Sequence, residues 1–248
     1  MSLDATHACV VDLDGVVWLA GHALPGATDG VAELRRRDIP VLFATNNATP
    51  TLAELRERLA AIGIDATEDE LATSAQAAAV LVGADKVAHV VGEAGLREAL
   101  GARGVTVVDD GTPDAVVVGL SRTFDYDACD VAAQHLRAGA RFIATNTDPT
   151  LPTPDGPRPG AGAVVAAIAT ASGREPEVAG KPERAMVELV TSRVRPGALV
   201  GDRATTDGRF AEALGVPFAH VASGVEPSPG GATVSSATLY DAVIALCG

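Results

Sequence analysis

The chain has 248 residues, enough for one large α/β domain or two smaller ones with a substantial core. Its 32 acidic and 19 basic residues give a formal charge of -13, which repels phosphate backbones and anionic membranes and argues against a nucleic-acid polymer as partner. The hydrophobic share is 47% but the aromatic share only 3%, so Ala, Val and Leu must do the packing.

Short β-branched runs alternate with Ala/Leu/Glu/Arg stretches of helical period, the pattern of βα units on a parallel sheet. In chain order, strands are expected near 8–13, 40–45, 87–91, 105–108, 115–119, 141–145, 198–201 and 217–221. Helices are expected near 27–37, 51–61, 74–82, 93–103, 127–138, 161–172, 183–193, 205–214 and 237–246. Two Pro/Gly-rich stretches interrupt this rhythm, Thr145 to Gly162 and Val225 to Gly231, and the first is long for a plain connection. Cys9, Cys129 and Cys247 are widely spaced and odd in number, which suggests neither disulfides nor a zinc site and favours a reducing cytoplasm. The N-terminus lacks a basic n-region, and the longest apolar stretch, 162–171, is too short to span a bilayer. A soluble cytoplasmic protein without a membrane partner is expected.

Four strand ends carry chemistry. The run Val10-Val11-Asp12-Leu13-Asp14-Gly15 ends an apolar strand in two carboxylates, where open α/β sheets bind ligands; an Asx turn at the strand end is the alternative. Thr45-Asn46-Asn47 ends the second strand with a hydroxyl and backbone N–H groups suited to a phosphoryl oxygen, or to plain helix capping. Gly180-Lys181-Pro182 opens a helix with one of only two lysines, against seventeen arginines, so its compact charge is either chosen or merely solvated. Leu199-Val200-Gly201-Asp202 ends a further strand, with Asp207 either capping the next helix or joining the site. Together these residues supply a nucleophile, a proton donor, oxygen ligands for Mg²⁺, a lysine and a hydroxyl, the parts phosphoryl transfer needs.

Taken in order, Asp12-Leu-Asp-Gly-Val16, Thr45-Asn-Asn47, Gly180-Lys-Pro182 and Gly201 to Asp207 resemble the four motifs of the haloacid dehalogenase (HAD) superfamily. The finer resemblance is to its subclass IIA, the NagD-like or p-nitrophenylphosphatase-like phosphatases, through Phe142 to Asp148, Pro152-Thr-Pro154 and Pro159 to Gly162. It implies a Rossmann-like core with a parallel sheet, residues 1–71 and 179–248, and an inserted α/β cap of the kind that subclass carries, residues 72–178. It implies Asp12 as nucleophile and Mg²⁺ ligand, and Asp14 as acid/base that also lends its carbonyl to the metal. By the same resemblance Asp202 would complete the metal site, Asp207 would sit just behind it holding metal-bound water or Lys181, Thr45 and Asn46 would bind the phosphoryl group, and Lys181 would neutralise it. From the cap, Asn146 and Asp148 approach the leaving group, with Arg122 a weaker choice, and relatives often dimerise through the cap. The expected activity is Mg²⁺-dependent hydrolysis of small phosphomonoesters, such as p-nitrophenyl phosphate, phosphoglycolate, glycerol phosphate, a sugar phosphate or a nucleoside monophosphate. Asp14 argues against dehalogenation, because an alkoxide needs a proton to depart and a halide does not. The alternatives are a phosphorylatable receiver-like signalling protein and a Mg²⁺/phosphate-binding module without turnover. Trp18 reads as a packing residue under the site.

Overall fold

The computed structural model describes residues 3–19, 21–151, 153, 155–222 and 230–248. Pro152, Pro154 and most of the Val225 to Gly231 stretch therefore lie outside the described residues. The first part of the chain runs β1 (Ala8–Val11), β2 (Trp18–Leu19), β3 (His22–Ala23), α1 (Ala27–Arg36), β4 (Val41–Thr45), α2 (Leu52–Ala61) and β5 (Leu71–Thr73). Next come α3 (Ser74–Val82), β6 (Val87–Val91), α4 (Ala94–Ala102), β7 (Thr106–Val107), β8 (Ala115–Val118), α5 (Tyr126–Arg137) and β9 (Arg141–Ala144). The hairpin β10 (Thr150–Leu151) and β11 (Arg158–Pro159) follows, then α6 (Ala161–Ser172) and β12 (Glu177–Val178). The last part holds α7 (Arg184–Thr191), β13 (Pro196–Gly201), α8 (Arg209–Leu214), β14 (Phe218–Val221), β15 (Val234–Ser236) and α9 (Leu239–Cys247).

Two all-parallel sheets result. The first has the order β15-β14-β13-β1-β4-β5 and the second β12-β9-β8-β6-β7. The second is inserted in the chain between β5 and β13. Strands of this kind are covered on both faces, which is why they read as unbroken apolar runs. Side-chain alternation along β1 shows it: Cys9 and Val11 pack among residues of α1 and α9, while Val10 points the other way.

The opposite face of the first sheet shares one core with the second sheet. Val10, Leu42 and Leu199 join Val90, Val117 and Ile143 through the alanines of α3, namely Ala75, Ala77, Ala78 and Ala79. Small side chains let α3 lie close between the two sheets, so the low aromatic content has a structural consequence. Valines of β8 that face away, Val116 and Val118, pack under α5 and α6. Each fully buried Val or Leu contributes about 1.5–3 kcal/mol.

The chain crosses between sheets at two places. Leu71, Ala72 and Thr73 pair with β4, so the first sheet continues past the expected boundary at 72. It stops at Thr73 because that residue caps α3: its hydroxyl accepts from the Gln76 N–H at 3.2 Å, and Gln76 Oε1 accepts from the Thr73 N–H at 3.0 Å. The return follows β12, which pairs with β9. No described helix is long and apolar enough to cross a membrane.

Candidate active site

Asp12 directly follows β1 and its N–H donates to Val200 O at 2.9 Å, so it stands at the C-terminal edge of the first sheet. Thr45 ends β4 and Asp202 follows β13, at the same edge. Lys181 arrives from the return crossing, where the Gly180 N–H donates to Thr145 O at 2.8 Å. A Cβ at Gly180 would overlap the Asn46 side chain and the Thr145 carbonyl, so only glycine lets the segment pass.

Three of the four motifs meet at one ammonium, and Asn46 of the remaining one binds the backbone beside it. Lys181 Nζ donates to Asp12 Oδ1 and to Asp207 Oδ1, each at 2.7 Å, and all three groups are buried. Asp12, Asp202 and Asp207 each place a carboxylate oxygen within 4.8 Å of the others. Burial works against the Lys181 ammonium, but Asp12 and Asp207 outweigh it and hold the group above the usual lysine value. Burial also pushes the Asp12 carboxyl well above the carboxylate range; Lys181 opposes that shift, and the Asp207 and Asp202 charges reinforce it. Three carboxylates facing one ammonium leave excess negative charge in a buried place. A hard dication with oxygen ligands would relieve it, so this donor set fits Mg²⁺.

Asp14 lies in the turn after Asp12. Gly15 carries φ +92, open to glycine but strained for other residues, and a Cβ there would overlap the Asp202 carboxylate. The Asp14 side chain stands outside the three-carboxylate group. Its Oδ1 instead accepts from Trp18 Nε1 at 3.0 Å, and burial raises its carboxyl above the usual value, with this hydrogen bond opposing. This contact of Trp18 was missed by sequence reasoning, which assigned only packing; it depends on the turn bringing residues four apart together. Arg203 and Thr206, which also line the cavity over Asp12, were missed too, although both lie inside the Gly201 to Asp207 motif.

Thr45 Oγ1 accepts from the Asn47 N–H at 3.0 Å, which leaves its proton to donate. The Asn46 side chain is held by its neighbours. Its Oδ1 accepts from the Lys181 N–H at 2.7 Å, and its Nδ2 donates to Lys181 O at 3.1 Å and Asp148 Oδ2 at 3.2 Å. The Asn46 amide is thus engaged at both ends. Asn146 and Asp148 do line the cavity, yet Asn146 Nδ2 donates to Asn46 O at 2.7 Å and its Oδ1 accepts from the Asp148 N–H at 3.0 Å. Arg122 lines a neighbouring cavity under α6 rather than the one over Asp12. Its N–H donates to Glu93 Oε1 at 2.8 Å.

Fold and site together define a hydrolase of the haloacid dehalogenase class. Residues 9–106 match the haloacid dehalogenase-like hydrolase family and residues 178–239 the HAD-hydrolase-like family. The chain belongs to this family. It is 41% identical over 240 residues to a D-glycerol 3-phosphate phosphatase of Mycobacterium tuberculosis, covering 90% of this chain. The match spans only 65% of that relative's length. An acid sugar phosphatase of Staphylococcus haemolyticus is 35% identical over 87% of this chain and 85% of its own. The crystal structure of a glycerol phosphate phosphatase of Mycobacterium tuberculosis in complex with magnesium superposes with a TM-score of 0.88 at 35% identity, over 98% of this chain and 78% of that one.

Proposed function

We propose that the chain is a Mg²⁺-dependent phosphatase that hydrolyses small phosphomonoesters through a phosphorylated Asp12. The observation that carries this reading is the buried Lys181 ammonium bridging Asp12 and Asp207 at the C-terminal sheet edge, beside Asp202. Asp12, Asp202 and the Asp14 carbonyl would hold Mg²⁺, with Asp207 behind them. When bound, the ion supplies positive charge for the phosphoryl oxygens and frees Asp12 from its surplus of like-charged neighbours.

Asp12 Oδ attacks phosphorus while Lys181 and the Thr45 hydroxyl hold the phosphoryl oxygens. Asp14 gives a proton to the departing oxygen, then takes one from the water that cleaves the aspartyl-phosphate. Its buried setting, which raises the carboxyl above the usual value, favours the protonated form needed in the first half.

The inserted stretch from Ser74 to Val178, built on the second sheet, acts as the cap that excludes bulk water and selects the leaving group. Asn146 and Asp148 face the cavity from that side. Similarity to glycerol phosphate and acid sugar phosphatases supports small phosphorylated metabolites as substrates. A homodimer through the cap is part of this reading, as is a cytoplasmic setting, supported by three free cysteines.

Phosphate release from p-nitrophenyl phosphate, followed with and without Mg²⁺ for wild type and Asp12→Asn, tests the mechanism. Loss of turnover on chelation and in the variant is expected. Activity that survives either change would sink it.

A further inference from the structure

Trp18 is the single tryptophan of the chain, 4% exposed, and packed in the core beneath the first sheet edge. Its indole Nε1–H donates to Asp14 Oδ1 at 3.0 Å. One turn holds both partners: the Gly15 N–H donates to Trp18 O at 2.7 Å, and the Trp18 N–H donates to Leu13 O at 3.1 Å. The turn, directly after Asp12, therefore keeps the two residues side by side, and the indole hydrogen bond fixes the carboxyl within it.

An indole N–H can only donate, and a carboxylic acid offers such a donor its carbonyl-type oxygen. The indole thus occupies Oδ1, and Oδ2 is the oxygen left open to carry and pass on a proton. We propose that Trp18 is a positioning residue for proton transfer, selecting Oδ2 as the oxygen that carries the proton and holding the carboxyl against rotation; this rests on the phosphatase reading above.

In the first half-reaction the Asp12 oxygen forms its bond to phosphorus as the bond to the leaving oxygen breaks. The proton on Asp14 Oδ2 passes to that oxygen. In the second, water attacks phosphorus and its proton returns to Oδ2, while the Asp12–phosphorus bond breaks and its electron pair returns to the carboxylate. The indole hydrogen bond persists throughout.

A p-nitrophenolate departs without a proton, whereas an alkoxide does not, so the role predicts a loss that depends on the leaving group. The test compares wild type and Trp18→Phe on p-nitrophenyl phosphate and on whichever of glycerol phosphate, phosphoglycolate and a sugar phosphate the wild type hydrolyses best. General acid catalysis is worth about 10²–10⁴-fold, so a misplaced acid should lower kcat on the alkyl ester by about tenfold or more, with a clearly smaller loss on the aryl ester and little change in either KM. Because Phe removes ring volume as well as the donor, a second variant changes the donor alone. With one tryptophan in the chain, biosynthetic incorporation of β-(3-benzothienyl)alanine replaces that N–H by sulfur and touches no other residue. Equal losses on both esters, or no loss on either, overturn the proposal while the phosphatase reading stands. A wild type that hydrolyses no ester removes both.

Discussion

Lys181 ties together two buried carboxylates at the C-terminal edge of the first sheet. Its ammonium is the sole cation in hydrogen-bond contact with Asp12 and Asp207 among the described residues, and the three groups are buried. Replacing it with Met keeps the chain's bulk but leaves the carboxylates facing one another. Breaking a buried pair by removing one partner costs about 3–5 kcal/mol, so the urea midpoint of metal-free Lys181→Met should fall steeply. Mg²⁺ should restore much of that loss, because a cation bound by the folded state alone stabilises it by mass action. Activity should not recover, since a donor aimed at transferring oxygens is worth about 10²–10³ in kcat. A variant as stable as wild type in EDTA, or one whose kcat returns with Mg²⁺, contradicts this account. Gly15 works at the same scale from the opposite direction, since the lack of a side chain there is what admits the Asp202 carboxylate.

Among the elements, α1 carries a pH response outside the site. Glu33 accepts from Arg36 Nε at 2.7 Å and from Arg37 Nε at 2.7 Å in its last turn, and these hydrogen bonds hold the carboxyl at about 2, down from the usual 4.5. A carboxyl whose pKa is depressed by folding stabilises the fold above its unfolded value and loses that contribution as pH falls through the folded one. Thermal midpoints of wild type should therefore exceed those of Glu33→Gln above pH 4.5 and converge toward pH 2. Parallel curves across that range would show that the pair contributes nothing. Elements of this kind were legible in the sequence because their periods are long: nine helices and eight strands fall where apolar spacing and turn residues place them. Missing were β2, β3, β5, β10, β11, β12 and β15, each two or three residues long. Runs so short show no alternation, and their pairing is set by partners distant in sequence. The same contrast divides the site. Asp12, Asp202, Lys181 and Thr45 could be read because each ends a strand or opens a helix. The engagement of Trp18 with Asp14, and of the Asn46 amide with Lys181, depends on how turns and crossings fold back, which no spacing rule carries.

At the scale of the whole molecule, both crossings between the sheets pass Asn46, next to Thr45 at the end of β4. Its carbonyl accepts from Ser74 Oγ at 2.6 Å, at the outward crossing, and from Asn146 Nδ2 at 2.7 Å, just beyond β9. Its side chain binds the N–H and the carbonyl of Lys181, on the return crossing. The second sheet therefore cannot shift over the cavity without loading the residue that holds the Lys181 backbone, so both crossings are mechanically linked to the segment that carries the ammonium. Asn46→Ala cuts the side-chain half of this link and strands the Lys181 peptide groups in a buried place. Unsatisfied buried groups cost about 1–3 kcal/mol each, so the variant should unfold at lower urea. Amide exchange across residues 179–182 should accelerate more than exchange in β1 or β13, because the loss is local before it is global. Turnover should fall with it, chiefly in kcat, since Lys181 would still be present but no longer held against Asp12. Unchanged exchange at 179–182 together with wild-type kcat would show that the crossings are held by backbone pairing alone, and that the second sheet is not coupled to the lysine through Asn46.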